Sequence, residues 1–380
     1  MKTQTLHLTQ REACHPGGLS PRLANCHPEV LRGISESSHV RDPWEHLRTT
    51  ALWAVLVAFT LLAGGCGNLD GTAARWTGPT AAAPVATETW SYNQRDGTIL
   101  KTPHYQVHTT ITDPEVIKRL PQVLEGAYAQ YQSFAAAAPP NAKPMKCYVF
   151  SRRSEWADFT SRHTGADAAV YLQITRGGYT IGDWFVSYYV GENATYSVAA
   201  HEGWHQYVAR HFKGRLPPFL EEGTACMFEN VRFPSELPRW DLSLNPNRAL
   251  GLRNAIENKK LWPLDKLVTM HAGDVVQLPG DKIEAFYAQD WAFARFLWEY
   301  NNGQYRPAFK KMLGEIAAGT VYDPTGSMRR AVAAWSPAGV QPMLEHYLGK
   351  PLKDVETEYQ QFIRNVAYEQ FGHQWMAKAS

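Results

Sequence analysis

Residues 199–212 read AAHEGWHQYVARHF, and this stretch constrains the chain more than any other. On a helix, positions i and i+4 share a face one turn apart. His201 and His205 can therefore aim two imidazoles at one point, while Glu202 is offset by one residue. Two metal ligands with an acid beside them form the H-E-x-x-H arrangement, in which the acid acts as base on a metal-bound water. A catalytic zinc site needs three protein ligands and one open position. The helix should stop near Gly214, and Pro217-Pro218 should open another, since proline suits a first helical turn. That second helix, PFLEEGTACMFEN, carries Glu221 and Glu222 in its early turn, and either can return to the metal as third ligand.

The rest of the chain must bring these two helices together. TILKTPHYQVHTTI (98–111) alternates like a strand, and Asp113-Pro114-Glu115 is a helix start. The helix to Phe134 would present Val116, Leu120, Val123, Leu124, Ala127 and Tyr131 on one face. MKCYVF (145–150) reads as a buried strand, SEWADFTSRH (154–163) as a helix, and AAVYLQI and YTIGDWFVSYYV as strands around Gly177-Gly178. The extended run IGDWFVSYYV (181–190) is either a sheet edge for a peptide or an ordinary core strand. From Ala194 the pattern turns helical: 194–212, 218–230, 281–300, 306–317, 339–348 and 352–369. Residues 231–265 read as loop with short helical pieces. The order predicts an α+β fold, a mixed α/β lobe with a small sheet (91–193) followed by a mainly helical lobe (194–370).

HEGWH followed by LEEGTACMFE resembles the gluzincin metallopeptidases, the clan of thermolysin and aminopeptidase N. The glutamate before the glycine is Glu222, so the resemblance makes it, rather than Glu221, the third ligand. Sixteen residues lie between His205 and Glu222, slightly fewer than in aminopeptidases, which points to a related subfamily. Glu229 matches a later family glutamate that supports the ligands from behind. FYAQDWAFARFL (286–297) is similar to the family helix whose tyrosine stabilises the oxyanion, here Tyr287. Gln289 and Asp290 depart from that pattern, and a core-aromatic role for Tyr287 stays open. The matches span about residues 201–297. They imply a zincin-like catalytic domain over 91–370, a zinc cofactor, and hydrolysis with Glu202 as general base.

Upstream, ALWAVLVAFTLLAGG (51–65) is apolar, preceded by Arg41 and Arg48 and closed by Cys66. It is shorter than the roughly 18 residues of a membrane-spanning helix. LLAGGC resembles the lipobox of bacterial lipoproteins, with Cys66 the lipidated residue. We therefore expect residues 1–39 to be a misassigned start, 40–65 a signal peptide, and the Ala/Gly/Thr/Pro-rich 67–90 a flexible tether. That places the protein in the bacterial cell envelope, periplasmic or on the cell surface, held to the membrane by its N-terminal lipid. Cys147 and Cys226 either pair or stay as two buried thiols. With 38 basic against 36 acidic residues, no charged block suggests nucleic acid as a partner. No GxSxG elbow or P-loop is present. The expected partner is a peptide or protein substrate. The alternatives are a surface lipoprotein that keeps the fold as a binding or assembly factor, and a zinc hydrolase of other amides.

Overall fold

MKCYVF alternates inward and outward side chains, and it forms the middle of a six-stranded mixed sheet. The computed structural model describes residues 79–135, 143–175, 177–182, 184–275, 278–326 and 336–368. The strands are β1 (Ala86–Tyr92), β2 (Arg95–Lys101), β3 (Tyr105–Thr109), β4 (Met145–Phe150), β5 (Gly178–Ile181) and β6 (Trp184–Tyr188). Their spatial order is β1-β2-β3-β4-β6-β5, with β3–β4 and β4–β6 parallel and the other pairs antiparallel. A parallel pair needs a crossover, and α1 (Pro114–Phe134) supplies the one between β3 and β4. Asp113 caps it by accepting from the Glu115 and Val116 N–H groups, and Pro114 occupies its first turn. The six residues expected on its inner face are all buried.

The remaining helices are α2 (Arg153–His163), α3 (Ala168–Tyr171), α4 (Glu192–His211), α5 (Pro218–Met227), α6 (Pro246–Glu257), α7 (Leu264–Leu267), α8 (Ala272–Val275), α9 (Gly280–Gly303), α10 (Arg306–Ala318), α11 (Pro337–Leu348) and α12 (Leu352–Tyr368). The molecule is α+β. One apolar cluster joins Val107, Cys147 and Phe185 on the sheet's inner face to α1, α4 and the helices that follow. A second, on the outer face, joins Phe150, Val186, Tyr188 and Tyr179 to Trp156 and Phe159 of α2. The mixed and helical halves thus share a core across α4, which packs on α1, β5, β6 and α5.

Several expectations need correction. Residues 98–111 are two antiparallel strands, because Pro103 sits in a tight turn closed by the Thr102 N–H donating to the Tyr105 carbonyl. AAVYLQI is no strand. Gly165 turns the chain with φ +59°, a short 3-10 turn follows, and one helical turn ends at the buried Tyr171. Within 178–190, β5 forms one edge of the sheet, opposite β1, and β6 lies inside it between β4 and β5. Segment 231–265 holds a three-turn helix, α6, capped by Asn245 and started by Pro246. The expected tether 67–90 overlaps β1, which begins at Ala86. Cys147 and Cys226 are both free and buried. Residues 1–39, the signal 40–65, Cys66 and residues 67–78 lie outside the described residues. Among the described residues no helix is long and apolar enough to cross a membrane.

Candidate metal centre

Most of α4 is buried, which is unusual for a helix carrying two histidines and a glutamate. Small residues let it approach its neighbours. A Cβ on Gly203 would stand 2.7 Å from the Tyr131 hydroxyl, and that hydroxyl donates to the Ala200 carbonyl. The chain leaves α4 at Phe212. It is then pinned where the Lys213 and Gly214 N–H groups donate to the Ala317 and Ile316 carbonyls of α10. It re-enters helix at Pro218, in α5. This connection brings α5 back across the middle of α4.

The result is a triangle of ligand atoms. The two imidazole Nε2 atoms are 3.2 Å apart, and a Glu222 carboxylate oxygen lies 3.6 Å from each. Tetrahedral bonds of about 2.0–2.2 Å give edges of about 3.3–3.6 Å. His201, His205 and Glu222 therefore form a buried group that could hold a metal ion, with a fourth position left for a small ligand. A second grouping, His201, Cys226 and Glu229, also brings its ligand atoms within 4.8 Å of one another. Its chemistry argues against it. The Glu229 carboxylate is already engaged by Arg248, Asn245 and His201, and burial pushes the Cys226 thiol up, away from the thiolate a metal needs.

Both histidines are held from behind. His201 Nδ1 lies 2.8 Å from Glu229 Oε1, and His205 Nδ1 lies 2.9 Å from Glu221 Oε1. A carboxylate can only accept from an imidazole N–H, so each contact fixes the tautomer that leaves Nε2 for a metal. Arg248 grips Glu229 with two N–H donors, at 2.7 and 3.0 Å, and Asn245 donates to it at 2.7 Å. Burial alone would raise the Glu229 carboxyl. The Arg248 guanidinium and the His201 hydrogen bond outweigh it and hold the group at about 2.

Glu202 is fully buried beside the triangle, and burial pushes it up to about 7 against the pull of His205 and His201. The Thr180 hydroxyl from β5 donates to its Oε2 at 2.9 Å. Gly178, in the same strand, lets that approach happen, since a Cβ there would meet Glu202 Cγ at 3.1 Å. Tyr287 of α9 is fully buried, with Arg248 Cζ 5.2 Å from its ring centroid.

No protein-family model matches the chain, and no curated protein matches it.

The site therefore stands on its own geometry. The structure brings together His201, Glu202, His205, Glu222 and Glu229, and it puts Tyr287 one residue further out, on Arg248. His211, in the last turn of α4, packs tilted against Tyr207 and edge-on to Tyr128 instead. Sequence reasoning missed four parts. Glu221 orients His205. Thr180 holds Glu202. Asn245 and Arg248 hold Glu229, and an Asn-Pro helix start could have flagged the element that carries them. Asp290 and Gly223 belong to the scaffold. The Asp290 carbonyl would stand 2.2 Å from a Cβ on Gly223, so α5 and α9 meet backbone to backbone beside the third ligand. Burial, with Glu222 nearby, raises the Asp290 carboxyl well above the usual range.

Proposed function

We propose that the protein is a zinc-dependent metallopeptidase of gluzincin type that hydrolyses peptide bonds, with Glu202 as general base. The observation that carries this reading is the ligand triangle of 3.2, 3.6 and 3.6 Å, whose two histidines are each oriented by a glutamate. The donor set of two imidazoles and one carboxylate suits zinc and matches the three protein ligands of a catalytic rather than a closed structural site. Bound zinc supplies Lewis acidity, which polarises a carbonyl and acidifies water. Glu202 takes the proton of the attacking water on its carboxylate and passes it to the leaving nitrogen. Thr180 keeps that carboxylate aimed through its hydroxyl. Tyr287 donates a hydrogen bond to the developing oxyanion.

The substrate is a peptide or protein met in the bacterial cell envelope, where lipidation at Cys66 anchors the enzyme. The complete burial of His201, Glu202 and His205 favours one competing reading, a metal-bearing lipoprotein that serves as a binding or assembly factor. One experiment separates the two. Purified wild type and Glu202→Gln are assayed for zinc content and for cleavage of an unbiased peptide library, with and without chelator. The enzyme reading expects equal zinc in both proteins and cleavage by wild type alone, abolished by chelator. Stoichiometric zinc with no cleavage supports the binding factor, and a wild type without zinc ends both readings.

A further inference from the structure

On the outer face of the sheet, away from the metal centre, the end of α2 and the β5–β6 hairpin line a half-open cavity of about 210 Å³. Its place follows from strand alternation. Thr180 faces α4 and Glu202, so its neighbours Tyr179 and Ile181 face the other way, toward α2. Tyr179 and Val186 lie at the buried bottom, and Ile181 and Trp184 are half-buried at the side. The His163 ring lies 4.0 Å from Phe159 in a stacked pair, and Trp184 stands 6.2 Å from His163 and 6.4 Å from Phe159. Tyr148 backs both walls, 4.6 Å from Phe159 and 5.5 Å from Trp184. The rings are therefore held apart by their neighbours before any ligand enters. A cavity of about 150 Å³ takes benzene, so this one has room for a ring with one substituent.

The polar atoms narrow the choice. The Thr160 hydroxyl donates to the Trp156 carbonyl, so in its 3.0 Å contact with Tyr179 it is the tyrosine hydroxyl that donates. His163 Nδ1 lies 2.8 Å from the Phe159 carbonyl, which can only accept, so Nδ1 carries a proton and Nε2 is the ring nitrogen left to accept. The Thr164 hydroxyl donates to the Thr160 carbonyl at 2.8 Å and keeps its lone pairs. The residues lining the cavity thus carry acceptors, on His163 and Thr164, and an indole N–H donor, on Trp184. A phenol satisfies both. Its ring fills the aromatic slot, and its hydroxyl can donate and accept at once.

We propose that this cavity is a binding site for a phenolic group, supplied by a tyrosine side chain or by a free phenol. The proposal does not depend on the metal or on peptidase activity. Isothermal titration calorimetry of the full chain with p-cresol, 4-methylanisole and N-acetyl-L-tyrosinamide tests it. Saturable one-to-one binding of p-cresol is expected, with 4-methylanisole, which lacks the donor, about tenfold weaker, the size of one net hydrogen bond. Trp184→Ala should abolish binding. His163→Phe keeps a ring and removes the acceptor, and should bring p-cresol down to the level of 4-methylanisole. Ile181→Phe fills the cavity from its side and should also abolish binding, which keeps the test open if Trp184→Ala does not fold. Tighter binding of N-acetyl-L-tyrosinamide assigns the ligand to a polypeptide, and tighter binding of p-cresol assigns it to a free phenol. Absence of saturable p-cresol binding, equal binding of 4-methylanisole, or unchanged binding in His163→Phe or Ile181→Phe overturns the proposal.

Discussion

His201 and His205 stand one turn apart on the same helix and lean on glutamates close in sequence, one within α5 and one just past its end, yet the two supports are built differently. Glu229, behind His201, is locked by Arg248 and Asn245, and both it and Arg248 are only 6% exposed at the side chain. Glu221, behind His205, sits in the first turn of α5, with its side chain 15% exposed. The same chemical device therefore comes once as a buried ion-pair network joining α4, the segment after α5 and α6, and once as a two-residue pair between α4 and α5 whose carboxylate is partly exposed. A buried ion pair whose partner is removed leaves an uncompensated charge, whereas a solvated one loses little. The His201 flank should govern whether the protein stays folded. The His205 flank should mainly tune the metal.

The largest effect lies at the atoms both flanks serve. His205→Ala and Glu222→Ala should each abolish stoichiometric zinc, measured by elemental analysis after dialysis. Retained stoichiometric zinc in either variant would mean that the triangle is not the metal site. The flanks themselves come next. Arg248→Met strands Glu229 and should cost about 3–5 kcal/mol in urea unfolding. Glu221→Gln should cost less than about 1 kcal/mol while weakening zinc about 10–100-fold in a chelator competition. Equal stability losses in the two variants would erase the contrast.

The smallest effect lies at the far end of α4. Burial, helped by Arg210 and His104, depresses His211 to about 4. An unfolded histidine titrates near 6.5. Between those values the unfolded chain binds more protons than the folded one. Its contribution to stability is therefore complete above about 6.5 and is lost as pH falls toward 4. Thermal melts at pH 7.5 and pH 5 should show a drop that shrinks in His211→Gln.

How much of this was legible depended on distance along the chain. The α1 start at Asp113-Pro114, the β4 strand and the HEGWH helix are local signals, and they fold as read. Glu222 was reachable because α5 follows α4 after a short turn. Strand order is a different matter. Nothing in residues 181–190 tells that β6 is flanked on both sides while β5 takes the edge. AAVYLQI has strand composition, but a strand needs a neighbour, and this segment pairs with none in the sheet. Arg248 escaped notice for the same reason. Its partner Glu229 is nineteen positions away, and the pairing exists only once α6 folds against α9.

The contact of Gly223 with the Asp290 carbonyl bears on how such a site tolerates change. In a saturation library the position after Glu222 should be as intolerant as the ligands themselves, although its residue has no side chain to offer a metal. The fixed Glu-Gly pair would then record two constraints of different origin. One is a carboxylate that must reach the centre of the triangle. The other is a helix crossing so close that not even a methyl group fits between the chains.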